Sequence, residues 1–242
     1  MKTIISRFTL LVLCLGTITS LSSCDKKIRK EGSGVLQTVT RSLDNFSAIQ
    51  ADGKFDITYH VDDEPRVVVT TDNNLVPYVQ TFILDGRLVI EMSDDYFNYH
   101  FTKMKLEVYS PLCDDVDLNG SVEFSMVDTV YSDLMDVFHN GSGYASVKFT
   151  GDVLKMKVNG SADVRSEGII TDGEYTINGS GKIDALDAQA YDVDAEINGS
   201  GKIYVSCSHY LHAKIDGSGD IRYIGNPTVN SEINGSGSVG PY

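Results

Sequence analysis

Apolar and polar residues alternate along the second half of the chain, and the alternation restarts at a regular interval. Two apolar positions flank one polar position before each restart, as in Val116-Asp117-Leu118 and Tyr175-Thr176-Ile177. The same pattern follows each restart, as in Ile183-Asp184-Ala185. A period of two residues places alternate side chains on one face of a β-strand. The pattern therefore predicts short strands whose apolar side chains all point to one side.

A short polar phrase lies between the two strands of each unit. It reads Asn-Gly-Ser, or Asp-Gly-Ser in one copy, and consecutive copies are 18 to 21 residues apart. Asn and Gly adopt positive φ more readily than other residues, which suits a tight corner. A fixed corner at a near-constant period is typical of stacked repeat proteins. The predicted corner residues are Asn119, Asn140, Asn159, Asn178, Asn198, Asp216 and Asn234.

Two folds can use such a unit. In a meander each Asn-Gly pair closes a hairpin between antiparallel strands, whereas in a β-solenoid it forms one corner of a coil and equivalent strands stack in parallel. The near-constant period favours the solenoid. Stacked Asn side chains can then form an amide ladder along the molecule. A carboxylate cannot donate to a neighbour, so Asp216 is expected to accept backbone N–H groups instead.

The pattern of residues 39–112 predicts a β-rich N-terminal region that continues into the solenoid of residues 113–242. Asp85-Gly86 lies between two apolar runs, which indicates a hairpin. Residues 73–80 can form one helical turn. The aromatic segment Ser93–Phe101 has two interpretations: it covers an end of the solenoid, or it offers a platform for carbohydrate. The first is favoured, because an open stack needs an apolar cover.

The first residues have the pattern of a secretory signal. Lys2 and Arg7 precede an apolar run too short to cross a bilayer, and Leu21-Ser22-Ser23-Cys24 looks like a bacterial lipobox. This pattern predicts a lipoprotein signal peptide over residues 1–23 and a lipid on Cys24, which would hold the protein on a membrane. Residues 24–38 are predicted to be a flexible tether, because they are polar and contain Gly-Ser-Gly.

Charge and cysteine positions restrict the partners. The formal net charge is −14, and an acidic surface repels a phosphate backbone, so nucleic acid is not an expected partner. Cys113 and Cys207 fall on coils about four layers apart, at roughly 4.8 Å per layer. A disulfide needs Cα atoms within about 7 Å, so both thiols are predicted to be unpaired.

The residues offer little catalytic chemistry. The five histidines are scattered, and His139 occupies an aliphatic column, which indicates a packed core residue. Asp115 and Asp136 stack on one outward column, with Asp117 beside them, but the next layer supplies Lys155 and Lys157. That mixture is typical of a solvated face; calcium binding and acid–base catalysis remain alternatives. The sequence predicts no catalytic residue, no metal and no cofactor.

The lipobox, the segment from Phe46-Ser47-Ala48-Ile49 to Tyr59 and the Ile-Asn-Gly-Ser-Gly series together resemble the putative auto-transporter adhesin, head GIN domain family. The resemblance covers roughly residues 40–240. It implies an all-β fold, a right-handed parallel β-helix with an N-terminal β-rich region. It implies no catalytic residues.

These observations predict a non-catalytic, adhesin-like protein of a Gram-negative cell envelope, anchored through Cys24, in the outer membrane. Its rigid surface would bind glycans or other envelope components. One alternative is a polysaccharide lyase or hydrolase, since parallel β-helices host such enzymes. Another is a structural or envelope-signalling protein. The end of the solenoid after Tyr242 is a candidate edge for homo-oligomerisation.

Overall fold

A computed structural model describes residues 28–242, so the predicted signal peptide and Cys24 lie outside the described residues. Residues 28–242 form β-strands and one 3-10 turn, Val76–Tyr78. The strands are β1 (Lys30–Glu31), β2 (Leu36–Ser42), β3 (Ala48–Gly53), β4 (Asp56–Val61), β5 (Arg66–Asp72), β6 (Val79–Leu84), β7 (Arg87–Met92), β8 (Tyr99–His100), β9 (Met104–Ser110), β10 (Asp115–Gly120), β11 (Glu123–Met126), β12 (Val130–Gly141), β13 (Tyr144–Gly160), β14 (Asp163–Gly179), β15 (Lys182–Gly199), β16 (Lys202–Gly217), β17 (Asp220–Ile224), β18 (Thr228–Gly235) and β19 (Ser238–Pro241).

The strands of the repeat region stack in parallel. β12 pairs with β13, β13 with β14, β14 with β15 and β15 with β16, each time with corner glycine opposite corner glycine. Each coil has a first arm that ends at the corner, a second arm that begins after it, and a turn to the next coil. The β-solenoid prediction is confirmed, and the antiparallel meander is excluded.

Alternate side chains of both arms form the core. In β13 the second-arm residues Ala145, Val147 and Phe149 and the first-arm residues Leu154 and Val158 are fully buried. Full burial of one such aliphatic or aromatic side chain contributes roughly 1.5–3 kcal/mol. Because every coil adds residues to the same columns, stacking supplies the core that a single coil cannot make.

Each corner is hydrogen-bonded to the corner of the preceding coil. The backbone N–H of Ser200, for example, donates to the carbonyl oxygen of Gly179 at 2.9 Å. The side-chain amide of Asn198 donates to Oδ1 of Asn178 at 3.0 Å, and Asn178 donates to Asn159 at 2.8 Å. Asn178 therefore acts as donor to one neighbour and acceptor from the other, and so does Asn119, which donates to Asp52 and accepts from Asn140.

The expectation for Asp216 is wrong. Its carboxylate accepts a hydrogen bond from the side-chain amide of Asn234 at 2.8 Å, and Lys214 Nζ lies 3.4 Å from its other oxygen. These side chains satisfy the carboxylate and lower the pKa of Asp216, the bond from Asn234 having the largest effect. A carboxylate fits the ladder because every corner side chain can accept from the next coil.

The N-terminal region contributes coils in an order that differs from the sequence. β3 and β4 lie directly beneath β10 and β11, while β7 and β9, which come later in the chain, lie beneath β3 and β4. This arrangement brings Asp52-Gly53 under Asn119-Gly120. The Asn119 amide donates to Asp52 at 2.9 Å, so the ladder has a further corner that the sequence pattern did not reveal.

The predicted tether is wrong from Lys30 onward. β1 pairs with β8, and β2 pairs antiparallel with β5. The buried carboxylate of Asp72 accepts hydrogen bonds from the backbone of Gly34 and Thr102, both at 2.7 Å, which fixes this segment to the body of the molecule. The polar composition of this segment gave no indication that the backbone N–H of Gly34 donates to a buried carboxylate elsewhere in the chain.

The N-terminal end of the solenoid is covered. β5 and β2 extend the sheet beyond β9, and the predicted Asp85-Gly86 hairpin adds β6 beyond β7. The Arg41 guanidinium joins the two extensions, because it donates from β2 to the carbonyl oxygens of Val76 and Val79 at 3.0 and 2.7 Å. Tyr96 and Tyr99 of the aromatic segment pack against Tyr78 at this end, in keeping with a covering role.

Cys113 and Cys207 are both buried and unpaired, as predicted. His139 is fully buried in its aliphatic column, also as predicted. In the described part of the chain, no helix has the length and apolar character needed to span a membrane.

Candidate functional site

A groove lies on the outer face of the first arms, near the turns of the last coils. The register places Asp172, Asp192 and Tyr210 in one outward column, and Glu174, Asp194 and His212 in the next. Neighbouring coils are about 4.8 Å apart, so each column is a row of closely spaced side chains. We call this the acid–tyrosine groove. It has a volume of about 310 Å³ and is lined by Val153, Asp172, Gly173, Glu174, Asp192, Val193, Asp194, Tyr210 and His212.

Aromatic rings lie beside the groove. Tyr191 and His209 stack in the adjoining turn, with ring centroids 4.4 Å apart and planes inclined by 11°. His209 Nδ1 lies 2.7 Å from Asp192 Oδ1, and this hydrogen bond fixes the imidazole beside the groove. Tyr191 is 51% exposed and Tyr210 is 38% exposed, so flat aromatic faces remain accessible to a ligand.

Carboxylates form the floor and the opposite side. His212 Nδ1 lies 3.3 Å from Asp194 Oδ1, and Lys155 Nζ lies 2.8 Å from Glu174 Oε2. The hydrogen bond to Glu174 raises the pKa of Lys155, so the ammonium group is held charged beside the groove. Four carboxylates against one lysine give the groove a negative potential. Hydroxyl and amine donors fit such a surface, and anions do not.

The turn sequence explains why the rings collect here. Ser208-His209-Tyr210 places polar and aromatic residues just before the first arm of its coil, where Tyr210 stands opposite Asp192. The register shifts between Ala190 and Asp192, so the turn bulges and turns Tyr191 and His209 outward. Sequence reasoning missed this site, because the five histidines are scattered in the sequence and show no pattern that points to a groove. The aromatic residues in an otherwise small-residue turn were the available signal.

The predicted acidic column lies farther along the same face, toward the N-terminus. Arg87 binds Asp115 through two hydrogen bonds of 3.0 and 2.7 Å, which is a bidentate ion pair. Asp136 stands opposite Asp115 in the next coil, and burial followed by the Asp115 charge raises the pKa of Asp136. Burial also raises the pKa of Asp117, which accepts a hydrogen bond from Asn119.

The lysines that follow are engaged differently. Lys155 stands opposite Asp136 but forms its ion pair with Glu174, and Lys157 lies with its ammonium 5.9 Å from the centre of the Phe138 ring. Within residues 28–242, no three His, Cys, Asp or Glu side chains come together in a way that could hold a metal ion. The acidic column is thus a partly ion-paired surface.

Comparison with known proteins identifies the family. Residues 45–227 match the family described as putative auto-transporter adhesin, head GIN domain. The chain belongs to this family. No curated protein matches this head GIN domain protein in sequence.

Solved structures share the whole described fold of this head GIN domain protein. A putative adhesin from Bacteroides fragilis NCTC 9343 is 24% identical with a TM-score of 0.84, and covers 88% of this chain and 100% of its own. A putative adhesin from Parabacteroides distasonis ATCC 8503 is 26% identical with a TM-score of 0.71, over 88% of this chain and 100% of its own. A protein of the same strain described as a putative lipid binding protein is 25% identical with a TM-score of 0.76, over 88% of this chain and 99% of its own.

Proposed function

We propose that this head GIN domain protein is a non-catalytic, adhesin-like protein of the cell envelope that binds neutral or amine-bearing glycans in the acid–tyrosine groove. The observation that carries the proposal is the combination in one groove of the accessible aromatic ring of Tyr210 with a row of carboxylates. The family and the similar adhesins support the adhesin-like part.

The chemistry of sugars suits this groove. One face of a sugar ring carries mainly C–H groups and packs on an aromatic ring, while its hydroxyl groups donate hydrogen bonds to carboxylates. The aspartates of neighbouring coils, Asp172 and Asp192, repeat at the spacing of the stack, so successive sugar units of one chain can meet equivalent acceptors. Uronic acids and sulfated sugars would be repelled by the same carboxylates.

An array of neutral, amine-bearing, uronic and sulfated oligosaccharides tests the proposal. Binding is expected among the neutral or amine-bearing members, and Tyr210→Ala is expected to weaken it at least ten-fold by removing a stacking surface. Tyr131→Ala is the matched control, because Tyr131 is 74% exposed but does not line the groove. A chain that binds only anionic members, or a Tyr210→Ala variant that binds as well as the unchanged chain, would contradict the assignment.

We further propose that a lipid on Cys24 anchors the protein in the outer membrane of a Gram-negative bacterium. The lipobox supports this location, and so does the origin of the similar adhesins from Bacteroides and Parabacteroides. Expressed in such a host, the unchanged chain is expected to partition into detergent and the Cys24→Ser variant into the aqueous phase. Equal partitioning of the two forms would eliminate the anchor.

A second candidate function is hydrolysis or lysis of a polysaccharide at the acidic column. The observation favouring it is the pair Asp115 and Asp136, since Arg87 is ion-paired with Asp115 while burial raises the pKa of Asp136. Two neighbouring carboxylates in such different environments are the pattern of an acid and a base. Turnover of a polysaccharide that is lost in both Asp115→Asn and Asp136→Asn would establish it, and the glycan array with reducing-end detection measures binding and turnover together.

A further inference from the structure

The last coil exposes residues that are buried in every coil beneath it. Val229 and Ile233 of β18 are 36% and 41% exposed, whereas Leu211 and Ile215, which stand opposite them in β16, are fully buried. β18 pairs with β16 on one edge and has no strand on its other edge within residues 28–242. This edge offers unpaired backbone donors and acceptors together with an apolar inner face, which natural sheets seldom leave uncovered.

The other end of the molecule is a poorer partner for this edge. There β2, β5 and β6 extend the sheet, and β2 and β6 each keep one unpaired edge within residues 28–242. A head-to-tail stack would have to pair β18 with such an edge, but Arg41 of β2 already donates to the carbonyl oxygens of Val76 and Val79, where β6 begins. The same edge of a second copy carries no such obstruction, and an edge that pairs with itself gives a closed twofold dimer.

We propose that the edge of β18 pairs antiparallel with β18 of a second copy, so that two solenoids join end to end in a twofold dimer. Residues directly opposite each other in an antiparallel pair point to the same face. The two apolar interiors are continuous only if inward residues oppose inward residues. Val229, Ser231 and Ile233 are the inward residues of β18, since they continue the columns of Leu211, Ala213 and Ile215.

The side chains select one register. Centring the pair on Ser231 places Val229 opposite the second copy's Ile233 and uses almost the whole strand. The same register places Glu232 opposite Asn230, so a carboxylate meets an amide that can donate to it. Shifting the centre to Glu232 would place two carboxylates opposite each other, which is destabilising.

Cysteine crosslinking tests this register. Opposed Cα atoms in an antiparallel pair are about 4.5–5.5 Å apart, within disulfide range. In the chain from Ile28 onward, Ser231→Cys is expected to form a disulfide-linked dimer at least ten times faster than Asn230→Cys, whose two copies would be about 8 Å apart. A mixture of Asn230→Cys and Glu232→Cys is expected to crosslink quickly, although neither does so alone. Cys113 and Cys207 are buried and do not compete.

The mass in solution tests the dimer independently of any crosslink. Sedimentation of the unchanged chain from Ile28 onward is expected to give twice the monomer mass, and Ile233→Lys to raise the dimer Kd at least ten-fold. Leu84→Lys is the matched control: it introduces the same charge at a 57% exposed leucine of β6, at the covered end. A monomer at all concentrations, an Ile233→Lys dimer of unchanged affinity, or equal crosslinking rates of Ser231→Cys and Asn230→Cys would each overturn the proposal.

Discussion

Each corner depends on a glycine whose Cα lies against the corner beneath it. Gly199 has φ of 137°, and a Cβ built on it would lie 2.3 Å from the carbonyl oxygen of Gly179. That oxygen accepts the hydrogen bond from Ser200, so it cannot move aside without breaking the contact between coils. Two separate physical demands, the positive φ and the close approach, therefore fall on the same residue.

Comparing Gly199→Ala with Gly86→Ala separates the cost of positive φ from the cost of the close approach between corners. Gly86 also has positive φ, 77°, but a Cβ there meets nothing within 4 Å. Gly86→Ala is expected to lower the free energy of unfolding by about 1 kcal/mol, from φ alone. Gly199→Ala is expected to cost at least about 2 kcal/mol more, because the coils must separate. Chemical denaturation measures both; equal losses would mean that close approach is unimportant.

His139 makes the stability dependent on pH. Its Nε2–H donates to the carbonyl oxygen of Val122 at 3.1 Å, while Nδ1 is buried without a partner. Burial lowers the pKa of His139, so the folded protein binds its proton less readily than the unfolded chain. Stability from the neutral ring is therefore full above about pH 6.5 and is lost as pH falls below it, by at most about 1.4 kcal/mol per pH unit.

His139→Ile, which restores the aliphatic residue of the neighbouring corners, is expected to flatten the loss of stability between pH 7 and pH 5. The unfolding free energy measured across that range provides the comparison. His100→Gln, which removes an exposed histidine, controls for the loss of one ionisable group. An unchanged slope in His139→Ile would show that this ring does not titrate on unfolding.

For single residues, the sequence predicts most of the corners, because each corner needs Asn or Asp followed by Gly within a few consecutive residues. It missed Asp52-Gly53 because Lys54-Phe55 follows in place of Ser-Gly. It misjudged Asp216 because an acceptor-only side chain cannot donate to its neighbour, whereas in the structure Asp216 needs only the donor that Asn234 supplies from the next coil. Tyr210 could not be placed in the groove without knowing how the turn bulges.

The strands of the N-terminal region show what alternation cannot predict. The pattern identifies β4, β5 and β9 as strands, but not that β9 lies between the parallel β4 and the antiparallel β5. Pairing partners are set by contacts between distant residues, and one sequence carries no record of them. The same reason explains the error in residues 30–38, whose partners lie in β5 and β8.

Asp72 holds residues 30–38 in place, so replacing Asp72 tests how this segment is attached to the rest of the fold. Burial alone would raise the pKa of Asp72, but the hydrogen bonds from Thr102 and Gly34 outweigh it, and the pKa is lowered. The carboxylate therefore stabilises the fold above about pH 4, and that stability is lost as pH falls. Asp72→Ala is expected to cost about 2–3 kcal/mol, because backbone donors lose a charged acceptor.

Trypsin provides the second readout for Asp72→Ala. Release of the first segment from β5 and β8 is expected to speed cleavage after Arg29 and Lys30 in the native protein. Asp63→Ala removes an exposed carboxylate that has no hydrogen bond in the structure and serves as the control. Unchanged cleavage in Asp72→Ala would mean that β1 and β2 hold the segment without this residue.

The two ends of the solenoid differ from each other, and a continuous outer face of stacked strands lies between them. The N-terminal end is covered by strands, the last coil is open, and the groove lies on the side between them. Cys113 and Cys207 lie at opposite parts of this body, each inside the stack. Cys207 Sγ lies 3.1 Å from the carbonyl oxygen of Tyr210, to which it donates, so this thiol supports the turn beneath the groove.

Both thiols are expected to be inert in the native protein. Burial raises the pKa of Cys113 and of Cys207, and the thiolate is the reactive form. A thiol reagent at pH 8 should modify neither until the protein unfolds, and both in denaturant. Native modification of Cys207 alone would reveal local opening at the groove, whereas modification of both would be inconsistent with a continuous core.

Because every corner packs on an equivalent corner, the number of coils can change without changing the structure of either end. Removing residues 161–179 joins Gly160 to Ser180, and the corner glycine Gly199 then meets Gly160 as it formerly met Gly179. The covered base and the open tip keep their neighbours, while the distance between them shortens by one coil. The repeat thus works as a spacer of adjustable length, in which reach can change without a new fold.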